Sequence, residues 1–205
     1  MIKKNKNTIS KNLPEGIKSY VEAFKIDLKT NFLTDAEIVK KYIIDGEPFN
    51  YKNKNELYVE LKSKIAEKFF VSVDDIRIVG SAKLGFSIAP DKAWREFCVD
   101  SDIDMAIVSE RLFDKFWTDL YDFNIYLKAR SKRDDITYRR FLDSFFKGWF
   151  RPDLFPFHFP GRSDWFKYFQ SISFQKYGDK KITCGIFKNH EFFTKYHESN
   201  IKRLR

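Results

Sequence analysis

Two aspartates, Asp102 and Asp104, stand two positions apart in "DIDMAIV" (residues 102–108), a short way after "VGSAKLGFS" (residues 79–87). On an extended chain alternate side chains point the same way, so the two carboxylates project side by side. Like charges that close repel unless a cation lies between them. A hard divalent ion, Mg²⁺ or Mn²⁺, takes oxygen ligands and keeps several waters, which makes the pair a place to bind such an ion beside phosphates. Gly80 lets backbone approach a ligand closely. Ser81, at the start of a helix begun by "AKLG", would offer a hydroxyl and free amides to a phosphate, and Lys83, one turn on, adds positive charge. Set on neighbouring strands, the turn would hold the phosphates of a nucleoside triphosphate and the aspartates the ions. That chemistry is metal-assisted phosphoryl or nucleotidyl transfer. An Asp-x-Asp with nothing beside it reads as a solvated strand edge; the preceding Gly-Ser turn gives the pair its chemical meaning.

A strand, a Gly-Ser turn and a helix followed by hydrophobic-Asp-x-Asp-hydrophobic resembles the nucleotidyltransferase superfamily typified by DNA polymerase beta, over residues 79–108. The resemblance maps Gly80, Ser81, Asp102 and Asp104 onto the family's functional positions. It implies a polymerase beta-like α/β (α+β) fold, a small mixed sheet with helices on one face. It also implies transfer of an NMP from an NTP to a nucleic-acid (RNA), protein or nucleotide acceptor with Mg²⁺ or Mn²⁺. Bacterial members include antitoxin-type minimal nucleotidyltransferases and the oligonucleotide synthases of phage defence, so a role in antiviral defence or a toxin–antitoxin pair, with a partner protein, is implied too. Two departures stand out. The spacer "FSIAPDKAWREFCVDS" is long, so an extra loop should overhang the site. Family enzymes take a third carboxylate from a later strand, whereas "KKITCGIF" has none in its body; Asp153 and Asp179 are the nearest substitutes. The alternative is therefore a catalytically inactive member that binds nucleotide, nucleic acid or a partner protein as a sensor or antitoxin component.

The elements that must position these residues are legible in the periodicity. "DIRIVGS" alternates as a short strand, and "DIDMAIVS" puts Ile103, Met105 and Ile107 on one face and Asp102, Asp104 and Ala106 on the other. Ahead of them, "PEGIKSYVEAFKIDLKTNF" is helical with Pro14 near its start. "TDAEIVKKYIIDG" has Thr34 and Glu37 as a capping box and Gly46 past its end. A third helix begins near Asn55, with Leu57, Leu61, Ile65 and Phe69 as its apolar stripe. After the aspartates, "ERLFDKFWTDLYDFNIYL" is helical, "RPDLFPFHFPG" is a loop, and "SDWFKYFQSI", "KKITCGIF" and "NHEFFTKYHESNIKRLR" are a helix, a strand and a closing helix. Residues 1–12 form a basic lead-in, and 13–205 one domain with helical extensions at both ends.

Composition bounds the rest. The 205 residues carry 23 Phe, 10 Tyr and 4 Trp, which implies an aromatic-packed core. Lys plus Arg number 38 against 29 Asp plus Glu, a net +9 that favours an anionic partner. Lys128, Arg130, Lys132, Arg133, Arg139 and Arg140 crowd "KARSKRDDITYRR" against only Asp134 and Asp135, as a solvated loop and helix start or as a nucleic-acid patch. Cys98 and Cys184 make neither a disulfide framework nor a metal spacing, and His158, His190 and His197 form no metal or triad spacing. No apolar run is long enough to span a bilayer and no apolar leader opens the chain, so a cytoplasmic protein with no membrane contact is expected.

Overall fold

A computed structural model describes residues 15–30, 32–125, 131–155 and 160–205. Its elements in chain order are α1 (Glu15–Lys29), α2 (Asp35–Val39), α3 (Asn55–Phe69), β1 (Ile76–Val79), α4 (Gly80–Leu84), β2 (Ile103–Val108), α5 (Glu110–Ile125), α6 (Lys132–Phe146), β3 (Trp149–Phe150), α7 (Pro160–Ile172), β4 (Ile182–Phe187) and α8 (His190–Lys202). The result is a mixed α and β architecture built around one four-stranded sheet. The expected lead-in, Lys128, Arg130 and His158 lie outside the described residues.

Strand order is β1-β2-β4-β3. β1 runs antiparallel to β2 and sets Val79 opposite Asp104, so the turn that follows Val79 opens beside the carboxylate. β2 and β4 are parallel, with Asp104 level with Thr183. A parallel pair needs a long crossover, and α5, α6, β3 and α7 supply it. β3, only two residues long, pairs antiparallel with β4; a strand so short leaves no periodic signal and was not expected.

The expectation of helices on one face is corrected. Ile76, Ile78, Ile103, Met105, Ile107, Ile182, Cys184 and Ile186 point to a core shared with α3, α5, α6 and α7. Ala106, Val108 and Phe187 point the other way, to a second core built with α1, α2, α4 and α8. The reason is visible in β4: every residue of "ITCGIF" is buried, as befits a strand with a parallel neighbour and both faces covered. The site lies on the second face, where apolar cover stops short of Asp104 and Thr183.

Aromatic residues crowd the first core, and Phe24, Tyr42, Phe86, Phe187 and Phe193 lie in the second. Phe113, Phe141, Phe150 and Phe155 interlock with Phe113–Phe150 centroids 4.6 Å apart and Phe141–Phe155 4.8 Å apart, while Phe69 meets Trp165 at 4.6 Å. Each buried ring contributes roughly 1.5–3 kcal/mol. The capping box of α2 forms as expected: the Glu37 N–H donates to Thr34 Oγ1 at 3.2 Å and the Thr34 N–H donates to Glu37 Oε2 at 2.7 Å. Beyond α2 the chain widens into a π turn over Lys40–Ile44. Among the described residues no helix is long and apolar enough to cross a membrane.

Candidate active site

Gly80 sits directly after β1 with φ +65°, a conformation that disfavours a side chain. A Cβ there would stand 3.1 Å from Asp104 Oδ2. The glycine is therefore required twice, by the turn and by the carboxylate beside it. Ser81 follows half-buried, and its hydroxyl has no partner among the described residues. Gly80 and Ser81 line a cavity of about 560 Å³ together with Asp102 and Asp104. Its volume falls within the ~300–1,000 Å³ range usual for small-molecule sites.

The two carboxylates differ in surroundings. Asp104 accepts from Thr183 Oγ1 at 2.5 Å. Burial pushes its carboxyl above the usual aspartate range; the Thr183 hydrogen bond and the Arg151 charge oppose that shift. Asp102, half-buried just before β2, has no hydrogen bond or ion pair among the described residues. Two adjacent carboxylates, one desolvated and one unpaired, form an all-oxygen donor set that suits a hard divalent ion. No group of three His, Cys, Asp or Glu side chains gathers for a metal among the described residues. An ion held by Asp102 and Asp104 would complete its shell with waters and substrate oxygens.

The later strand expected to bring a third carboxylate is β4, and its residue level with Asp104 is Thr183. Asp153 does not take that place. It is bound by Arg151, whose Nε and Nη2 donate to it at 3.2 and 2.7 Å, and it borders a separate pocket with Trp165 and Cys184. Asp179 lies in a turn at φ +50° and does not line the cavity. Lys83 is likewise placed elsewhere. It is 5 % exposed, its Nζ donates to the Gly46 carbonyl, and desolvation lowers its pKa to about 8. The turn brings Ser81 to the cavity, but the short α4 carries Lys83 round to its buried side.

Several lining residues were not singled out in the sequence. The long spacer folds back as a loop pinned by Ser87 N–H to Arg95 O and Trp94 N–H to Ser87 O, both 2.7 Å. It overhangs the site as expected and adds Lys92, Arg95, Glu96 and Asp100 to the lining. Arg151 leaves β3 and crosses β4 at Gly185, where a Cβ would meet Arg151 Cγ at 3.6 Å. From α8 and its end come Tyr196, His197, Asn200 and Arg203. Lys92, Arg95, Arg151 and Arg203 thus face Glu96, Asp100, Asp102 and Asp104, so the lining is near neutral and one divalent ion would make it attractive to phosphates. None of these four cations sits in a motif; the oddly placed Gly185 in an otherwise bulky strand was the one available signal, for Arg151.

Comparison with known protein families, curated proteins and solved structures finds no match to this chain.

Proposed function

We propose that the chain is a Mg²⁺-dependent nucleotidyltransferase, Mn²⁺ serving in the same place, that moves an NMP from an NTP to a nucleic-acid, protein or nucleotide acceptor. One observation carries this reading: Gly80, Ser81, Asp102 and Asp104, far apart in the sequence but joined by the β1–β2 pairing, line one cavity. In this reading the Ser81 hydroxyl donates to a phosphate oxygen, and Gly80 leaves the space that keeps the Asp104 carboxylate in position. Asp102 and Asp104 hold the ion, and Thr183 orients Asp104 so that Oδ1 is occupied and Oδ2 faces the turn. Arg151, fixed by Asp153, faces the phosphates with a permanent charge. A bound ion supplies charge neutralisation on the phosphate oxygens and alignment of nucleophile with leaving pyrophosphate. The motif order and its family resemblance support the same conclusion, and a role in phage defence or a toxin–antitoxin pair, alongside a partner protein, belongs to it.

A second reading is favoured by Thr183. With a hydroxyl where a third carboxylate is expected, the chain would bind nucleotide, nucleic acid or a partner protein without turnover, as a sensor or antitoxin component. Pyrophosphate release measured with Mg²⁺ and each of the four NTPs, plus cell lysate as acceptor, separates the two. Release with at least one NTP, abolished by Asp102→Asn with Asp104→Asn at undiminished thermal stability, is the expected result. Tight NTP binding with no release under any condition would establish the second reading instead.

A further inference from the structure

The cavity has a second end, away from the carboxylates. Trp149, Phe187, Tyr196 and His197 line it and pack as one group. Ring centroids lie 5.1 Å apart for Trp149–Tyr196, 5.2 Å for Tyr196–His197 and 6.1 Å for Phe187–His197. Within this wall, Nδ1 and Nε2 of His197 and Nε1 of Trp149 are buried with no hydrogen-bond partner among the described residues. His197 is only 6 % exposed. Buried polar atoms are nearly always paired, because an unpaired one keeps the full desolvation penalty. Three unpaired nitrogens on one cavity wall therefore point to a partner that the fold itself does not supply.

The chemistry of the wall narrows that partner. Flat aromatic faces favour a flat aromatic ligand, and an imidazole with one donor and one acceptor nitrogen, next to an indole N–H, matches a ring edge carrying both donors and acceptors. A plain hydrocarbon would leave the nitrogens unpaired. An inorganic anion would leave the ring faces unused. Asn200 and Arg203 continue the wall along α8 and past its end with further polar groups.

We propose that this α8 wall is a nucleobase subsite, in which Tyr196 stacks on the base and His197 and the Trp149 indole N–H bond its edge. The inference rests on the nucleotide reading and adds to it the part of the molecule that selects the base. His197 lies against Phe193, with centroids 4.6 Å apart. Engaging a base requires the imidazole and the indole edge to turn outward, since all three nitrogens are buried within the wall.

The test separates the two ends of the cavity. Adenosine, guanosine, cytidine and uridine, which have no phosphate, are titrated calorimetrically into the wild type, His197→Phe and Trp149→Phe; Mg²⁺ with inorganic tripolyphosphate is titrated separately. Expected is binding of at least one nucleoside to the wild type, weakened about tenfold by His197→Phe. Tripolyphosphate binding should stay within about twofold, because the substitution keeps ring bulk and removes only the nitrogens. His197→Phe should also melt higher, because it deletes two unpaired buried atoms. Trp149→Phe, which keeps an aromatic ring but removes the indole N–H, should weaken nucleoside binding likewise and serves if His197→Phe fails to fold. Equal nucleoside affinity in wild type and both variants overturns the subsite and leaves water as the partner of these nitrogens. Tripolyphosphate binding without any nucleoside binding overturns the subsite while sparing the phosphate site. His197-dependent nucleoside binding without tripolyphosphate binding upholds the subsite and removes the transfer reading. Binding of neither removes both.

Discussion

At the scale of single residues, the contrast between Asp102 and Asp104 has a consequence for stability. Asp104 is ionised at a cost, because burial raises its pKa above the ordinary value of 3.8. A carboxyl whose folded pKa is raised contributes its stability in full below the unfolded value. That contribution is lost as pH climbs through the folded value. Asp104→Asn keeps an oxygen for Thr183 Oγ1 and has no such loss. In metal-free buffer the variant should therefore match the wild type in strong acid and melt progressively higher as pH rises to neutrality. For a chain of this size each kcal/mol appears as roughly 2–4 °C in Tm. A variant that becomes relatively less stable with rising pH would show that Asp104 is a structural partner rather than a carboxylate held against its own desolvation. Lys83 teaches the converse. It stands only two positions after Ser81, roughly 200° round a helix, so α4 carries its side chain to the opposite side and into the fold.

At the scale of elements, what was legible depended on length and local chemistry. The capping box at Thr34 and Glu37, the four-residue stripe of α3 and the alternation of β2 all appear where their patterns place them, because local interactions decide them. β3 and the reach of Arg151 across Gly185 depend on pairing with β4, more than thirty residues away along the chain, and no local pattern records that. The end of α3 is a further case. Its C-cap residue is Phe70, in the left-handed conformation at φ +55° and 83 % exposed, where glycine is usual. Left-handed backbone costs a residue with a side chain about 1–2 kcal/mol, whereas the extra unfolded-state freedom of glycine costs about 0.5–1 kcal/mol. Arg111 Nη2 donates to the carbonyls of Phe69 and Phe70 at 3.0 and 2.6 Å, and these backbone bonds do not depend on the ring. Phe70→Gly should accordingly raise the stability by about 0.5–1 kcal/mol, read by urea unfolding at unchanged m-value. A loss of stability would mean that the exposed ring packs in a way its exposure does not reveal.

At the scale of the whole molecule, the net charge of +9 has to be assigned to a place before it says anything about an acceptor. The run from Lys128 to Arg140 gathers six cations within thirteen residues. Lys132, Arg139 and Arg140 are indeed exposed on α6, yet none of them lines the cavity. The exposed cations at the cavity are Lys92, Arg95 and Arg203, drawn from the overhanging loop and the end of α8 and scattered along the chain. A polynucleotide acceptor that presents its end to the carboxylates must pass these three. On single-stranded nucleic acid each neutralised phosphate contributes a slope of about −0.7 to log K against log salt, so three contacts give roughly −2. Lys92→Glu with Arg95→Glu should flatten the slope for a short RNA to that of a single contact, about −0.7. Arg139→Glu with Arg140→Glu should leave it unchanged. The reverse pattern would place the acceptor along α6, with the sequence run as its true track. A wild-type affinity for RNA that ignores salt altogether would rule out a polynucleotide acceptor held by these cations.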